Sequence, residues 1–210
     1  GHGLSWRPRA AVTLCVLGLT ALAGCANGES VEPLPAVDLS SLPVKAQTQV
    51  SGAQAALAQA TAESAVPLAT GFGELGRHYQ AYQLLAAAER AYRNALALTP
   101  DAFEWRYLLA HTLREGNQNE AAAESFDLAA ELRRREGAVR FWSGQSWAAA
   151  GKIDVAKQRY EALLADEPDH AAALVALARI LQQEGDLQRT VELLEKARAL
   201  DPNASEINYP

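Results

Sequence analysis

Side chains able to do chemistry are few in this 210-residue chain, and their spacing argues against catalysis. His78, His111 and His170 stand far apart in sequence, and no His-Glu-x-x-His, Cys-x-x-Cys, Gly-x-Ser-x-Gly or Gly-rich phosphate loop accompanies them. Glu120, Glu124 and Glu131 recur at helix-surface spacing, where hydration and pairing across one turn account for them. The expectation for this segment is therefore no enzyme, no catalytic residue, no cofactor and no metal. Cys25 is the one reactive group whose surroundings point to a modification, and arginines and aromatic rings supply chemistry suited to binding.

The elements that must position such side chains repeat every 34 residues. Leu75, Gly76, Tyr79, Ala88, Tyr92 and Ala95 are followed by Leu109, Ala110, Leu113, Ala122, Phe126 and Ala129. The third copy reads Ser143, Gly144, Trp147, Ala156, Tyr160 and Leu163, and the fourth Leu177, Ala178, Leu181, Thr190, Leu194 and Ala197. Small residues recur where two helices cross closely and large ones where the gap must be filled. High alanine content and few β-branched runs agree with helices throughout. The pattern resembles the tetratricopeptide repeat (TPR) over roughly residues 69–202. The resemblance implies an all-α, right-handed superhelical solenoid of helix-turn-helix units, helix A and helix B. Four repeats are expected, at about 69–102, 103–136, 137–170 and 171–204, within a region 67–202.

Punctuation supports the same register. Pro100, Pro168 and Pro202 mark repeat ends, because proline cannot continue a preceding helix. Asp101 with Glu104, and Asn203 with Glu206, have capping-box spacing, and Asp169 is positioned to cap alone. Gly151 and Gly185 fall at the turn between helices A and B. Two copies depart from the pattern. Gly116 comes one residue early, with Arg134 where proline is expected, which predicts a longer or looser junction; in the first copy Gln83 replaces the turn glycine. Residues 203–210 read as the truncated start of a fifth repeat, and methionine is absent from all 210 residues, so a fragment open at both ends is expected.

Stacked repeats align their A helices along one concave face. The resemblance places Arg77, Gln80, Tyr107, His111, Arg114, Phe141, Gln145, Arg179, Gln182 and Gln183 in that groove. It would be locally basic on an acidic protein, with arginines suited to carboxylates and Tyr107 and Phe141 as aromatic anchors. The asparagines by which chaperone-binding members clamp a terminal carboxylate are missing. Trp147 is expected in the core, and Trp142 is assigned to neither core nor surface.

The amino end carries a second signal. Arg7 and Arg9 precede an apolar run from Ala10 to Leu22, too short to span a bilayer and suited to a secretory signal peptide. Leu22-Ala23-Gly24-Cys25 resembles the bacterial lipobox, which implies cleavage of residues 1–24 and lipidation of Cys25. Alanine at position 26 implies, by the same family habit, an outer-membrane lipoprotein facing the periplasm. Cys15 would leave with the leader, so no disulfide is expected. Residues 25–43 read as the lipidated cysteine and an extended linker rich in Pro, Ser and Gly, reaching at most about 60 Å. Residues 44–66 read as an amino-terminal capping helix with Val50, Ala53, Leu57 and Ala60 on one face, and Pro67 as the break before the first repeat.

Net charge is −6, and removing the two leader arginines leaves about −8, which disfavours nucleic acid as a partner. The leading expectation is a membrane-tethered periplasmic scaffold that binds protein or peptide partners in its groove during envelope assembly. The alternative is the amino-terminal docking arm of a larger enzyme or redox protein whose catalytic domain lies beyond residue 210. A weaker third expectation is a sugar-polymer or cell-wall binder, from the aromatic and Gln side chains of the groove.

Overall fold

A computed structural model describes residues 31–60 and 65–200. The signal peptide, Cys25 and the start of a fifth repeat lie outside these residues. Among the described residues every regular element is an α-helix: α1 (Val44–Gln59), α2 (Ala65–Ala81), α3 (Leu85–Leu98), α4 (Phe103–Glu115), α5 (Asn119–Leu132), α6 (Gly137–Ala149), α7 (Ile153–Asp166), α8 (Ala171–Glu184) and α9 (Leu187–Leu200). The pairs α2/α3, α4/α5, α6/α7 and α8/α9 are helices A and B of four successive units. Each helix packs mainly on its neighbours in sequence, and α2 also approaches α4, as α6 approaches α8. This nearest-neighbour packing defines a solenoid.

The size pattern is visible in the contacts. A Cβ added at Gly76 would meet the Tyr92 ring at 2.7 Å, and one at Gly144 would meet Tyr160 at 2.5 Å. Tyr92 and Tyr160 are buried against helix A, and glycine is the only residue whose backbone can approach a ring this closely. In the second and fourth units Phe126 and Leu194 take the large position, and alanine (Ala110, Ala178) suffices opposite.

The turn between helices A and B is the same in all four units. Gln83, Asn117, Gly151 and Gly185 have φ of 59°, 58°, 76° and 84°, the left-handed region. The next residue's N–H then reaches back five residues: Leu84 to Tyr79 O at 2.9 Å, Gln118 to Leu113 O at 2.9 Å, Lys152 to Trp147 O at 3.0 Å and Asp186 to Leu181 O at 3.0 Å. These are Schellman-type ends. Gly116 is thus not the turn residue; Asn117 is, and asparagine tolerates this region better than most side chains. Gln83 holds the same conformation without that advantage.

Several local expectations are corrected. The junction at Arg134 is neither longer nor looser: Arg133 has φ −135° and ψ 70°, against −137° and 75° at Thr99 and −126° and 75° at Glu167, so proline is dispensable for this turn. Asp101 does not cap α4, whose N-cap is Ala102 without a side-chain bond. His170, rather than Asp169, caps α8, its Nδ1 accepting from Ala173 N at 3.3 Å. Pro67 lies within the first turn of α2, where a missing N–H costs little, so it does not break the chain there.

Residues 31–43 are also not a free linker. The Glu32 N–H donates to Asn94 Oδ1 at 2.9 Å, and Asn94 Nδ2 donates to the Glu32 carbonyl at 2.7 Å. Arg90 pairs with the Glu32 carboxylate. Val31, Leu34, Val37 and Leu39 pack on the core cluster that α1 to α5 form. The segment is a strap along helix B of the first unit, leading into α1, which rests on α2 through Val50, Ala53, Leu57 and Ala60.

Candidate functional site

The ten residues assigned to the groove all fall on A helices, and the structure divides them into an ion-paired group, an aromatic group and an exposed group. Arg77 on α2 pairs with Glu104 of α4 and with Glu74 at 3.9 Å, and lies 5.6 Å from the Trp105 ring centre. Gln80 accepts from the Tyr92 hydroxyl at 3.1 Å and donates to Glu115 at 3.0 Å. The amino-terminal part of the face is therefore charge-neutralised by its own carboxylates, which corrects the expectation of a basic groove there.

Tyr107, His111, Arg114 and Phe141 meet at the centre. Phe103 stacks on Tyr107 (ring centres 5.7 Å apart), Tyr107 meets His111 edge-on at 4.5 Å, and His111 meets Trp142 at 5.5 Å. Trp142 contacts Phe141 at 5.8 Å, and Phe141 stacks on His170 at 5.5 Å. Six rings thus run in unbroken contact from the start of α4 to the start of α8. Guanidinium groups lie over two of them, Arg114 4.3 Å from Trp142 and Arg133 4.0 Å from Phe103. Cation–π contacts of this kind contribute about 0.5–2 kcal/mol, so Arg114 is a structural part of the row as well as a charge.

His111 is the electrostatic centre of this row. It is half-buried, with Phe126 at 4.9 Å behind it, and Arg114 donates to its Nδ1 at 3.3 Å. Burial, and secondarily the Arg114 charge, push its pKa down to about 4. The ring is neutral at pH 7 and acts as an aromatic with one acceptor nitrogen. Gln145, Arg179, Gln182 and Gln183 are exposed on α6 and α8 and carry the face onward.

Reasoning from sequence missed Phe103, Arg133, His170 and Trp142 as members of the row, and the network beneath it. Asp127 on α5 accepts from Ser143 Oγ, from Trp147 Nε1 at 3.0 Å, and from Arg159 Nε and Nη2 at 2.9 and 2.8 Å. One carboxylate so joins α5 to α6 and α7. Burial alone would raise its pKa, but the bonds from Arg159, Ser143 and Trp147 outweigh that and hold it below the ordinary carboxylate value. Trp147, expected in the core, is half-buried and serves this network. The detectable signal was the Asp127/Arg159 pair at positions that carry Arg93/Ser125 one unit earlier and Glu161/Leu193 one unit later.

Among the described residues no group of three or more His, Cys, Asp or Glu side chains could hold a metal ion, and no helix is long and apolar enough to cross a membrane.

With a repeated helix pair, a recurrent left-handed turn and nearest-neighbour stacking in place, the molecule is a helical-repeat solenoid. Sequence models of the tetratricopeptide repeat match residues 74–139 and 148–209, and together they span more than half of the chain, which belongs to that family. Among solved structures it is similar to MamA (17% identity, TM-score 0.65, covering 77% of this chain and 95% of MamA). It is also similar to a putative kinesin light chain from Podosopora anserina with nearly identical TPR-like repeats (19% identity, TM-score 0.63, 78% and 90%). A third is YrrB, described as a TPR protein with an unusual peptide-binding site (22% identity, TM-score 0.60, 77% and 84%). At these identities the likeness is one of fold. No curated protein matches the sequence.

Proposed function

We propose that this protein is a membrane-tethered TPR scaffold of the bacterial envelope, which holds an extended segment of a protein partner along the row of rings on its A helices. The observation that carries this reading is the unbroken contact of Phe103, Tyr107, His111, Trp142, Phe141 and His170, with Arg114 over Trp142. Half-buried rings give large contact area with little rotamer entropy to lose, and arginine and aromatic side chains dominate binding energies in protein interfaces. The peptide-binding site of YrrB, a structure of the same fold, supports a peptide as occupant. Tethering rests on Leu22-Ala23-Gly24-Cys25, and the outer membrane on Ala26.

The test is selection of peptides from a random library by the purified solenoid, followed by titration. Replacing Tyr107 and Phe141 together by alanine is expected to weaken the selected peptides by about tenfold or more, roughly 1.4 kcal/mol, with helicity retained. Unchanged affinity would remove the ring row from the function. For the anchor, Cys25→Ser is expected to move the protein from the membrane fraction to the soluble fraction.

A further inference from the structure

The strap of residues 31–42 is held by contacts that a linker does not need. Asn94 is 2% exposed, and its side-chain amide makes both hydrogen bonds that the backbone of one extended residue, Glu32, can offer on one side. Arg90, one turn earlier on α3, takes the Glu32 carboxylate, and four apolar side chains of the strap pack on the first core cluster. A bidentate amide-to-backbone pair reads an extended main chain in a fixed register. The corresponding positions of the other units are Leu128, Ala162 and Lys196, none of which can do this. The strap site therefore exists only in the first unit, beside the chain's amino end.

We infer that Asn94 and Arg90 form a clamp on the tether, so that a lipid at Cys25 holds the solenoid against the bilayer by helix B of its first repeat, with the A-helix face turned away. This rests on the lipid-anchor reading of Cys25 given above. Only residues 26–31 separate Cys25 from the clamped residue, and at about 3.3–3.6 Å per residue they reach no more than about 25 Å. An unclamped chain up to the start of α1 would reach about 60 Å. The clamp thus shortens the tether by more than half and fixes which side of the first repeat meets the head groups. The ring row lies on α4 and α6, on A helices, and stays open to an extended partner.

Two measurements decide it. Hydrogen exchange on the unlipidated chain carrying Cys25→Ser reads the clamp without a membrane. The Glu32 amide is expected to be slowed by at least about tenfold relative to an unstructured chain, and Asn94→Ala is expected to abolish that protection while amides of α4 to α8 stay protected. Alanine already occupies the equivalent position at Ala162, so the variant is compatible with the fold. An unprotected Glu32 amide, or protection indifferent to Asn94→Ala, overturns the clamp.

The second measurement uses the lipidated chain in phospholipid vesicles carrying an energy acceptor on their head groups. Donors are placed at Arg93→Cys on α3 or Glu74→Cys on α2, both exposed positions. Transfer from position 93 is expected to exceed that from position 74, and Asn94→Ala is expected to lower it and erase the difference. Equal transfer from both positions in the otherwise unaltered chain overturns the orientation. If Cys25→Ser leaves the protein on membranes in cells, the anchor reading fails and the orientation with it, and the exchange experiment still judges the clamp separately.

Discussion

The joint between the second and third repeats and the joint between the third and fourth use the same backbone positions in opposite ways. At the first, Asp127, Ser143, Trp147 and Arg159 form one hydrogen-bonded network across three helices. At the second, 34 residues on, stand Glu161, Leu177, Leu181 and Leu193. Leucine is shorter than arginine and cannot bond a carboxylate, so Glu161 turns outward to Arg189 at 3.3 Å. A crevice of about 440 Å³, lined by Leu164, Leu174, Leu177 and Leu193 among others, remains there. The fold specifies where side chains meet and leaves open whether charge or hydrocarbon fills the meeting point. Most of the aromatic row lies over the networked joint, where His111 of α4 meets Trp142 of α6, and a rigid underside suits a face that must present rings in a fixed order.

The comparison breaks most visibly at Asp127. Removing it in Asp127→Ala leaves the hydrogen-bonding groups of Ser143, Trp147 and Arg159 without their acceptor. The expected loss is about 2–3 kcal/mol in urea unfolding, below the ~3–5 of a fully buried pair because Arg159 is 42% exposed. Glu161→Ala removes an exposed bridge and is expected to cost under about 1 kcal/mol. Equal losses at the two sites would show that the joints do not differ energetically.

A second break is steric and lies inside the flanking repeats. Gly144→Ala drives a methyl group into Tyr160 and is expected to destabilise by about 1–3 kcal/mol. The same exchange reversed at the equivalent position of the fourth repeat, Ala178→Gly, where Leu194 and not a ring holds the large position in register, is expected to cost about 1 kcal/mol, the helix-propensity difference plus a small void. Thermal unfolding of the two variants separates them.

Acid sharpens the comparison, because two of the shifted groups, His111 and Asp127, sit at the networked joint with distinct pH windows. His111 has a folded pKa of about 4 against an ordinary value of 6.5. Between those values the unfolded chain takes a proton that the folded chain refuses, so stability falls as pH drops from about 6.5 to 4. Asp127 is depressed below the ordinary carboxylate value, so its contribution is complete above about pH 4 and disappears as pH falls through its folded pKa. His111→Gln is expected to flatten the upper window and leave the lower one, and Asp127→Asn the reverse. Urea midpoints measured from pH 7 to 2 read both.

How far the sequence foretold these regions depends on whether a contact repeats. Gly76 opposite Tyr92 and Gly144 opposite Tyr160, two units apart, and the left-handed turn at Gly151 and Gly185, one unit apart, fall on the 34-residue period, so periodicity located them. Asn94 to Glu32 spans 62 positions and occurs once, and the strap's prolines and serines carry the composition of a linker. Asp127 was invisible for a related reason: an acidic residue on helix B reads as solvated until two further helices, α6 and α7, are brought against it. Caps failed locally, since Ala102 and His170 take positions that Asp101 and Asp169 were placed to fill. In the ring row, the family resemblance pointed to Tyr107, His111 and Phe141; Phe103 sits four residues before Tyr107 on α4, a spacing legible in the sequence, whereas Trp142 and His170 join through tertiary packing that no single-helix pattern encodes.

The smallest expected effect returns to the turns, where the two halves of the molecule also differ. The last two repeats place glycine in the left-handed position, and the first two place Gln83 and Asn117 there at φ 59° and 58°. A side chain with a Cβ is strained in that region by about 1–2 kcal/mol, less for asparagine. Glycine relieves the strain but adds freedom to the unfolded chain, so the net gain is smaller. Gln83→Gly is expected to stabilise by about 0.5–1 kcal/mol and Asn117→Gly by a few tenths, in that order. Gln83 donates to Glu115 only over a long 3.5 Å at an exposed position, so little is lost with its side chain. If Gln83→Gly destabilises instead, the side chain must contribute to the face it borders, and the first turn would belong with the binding surface.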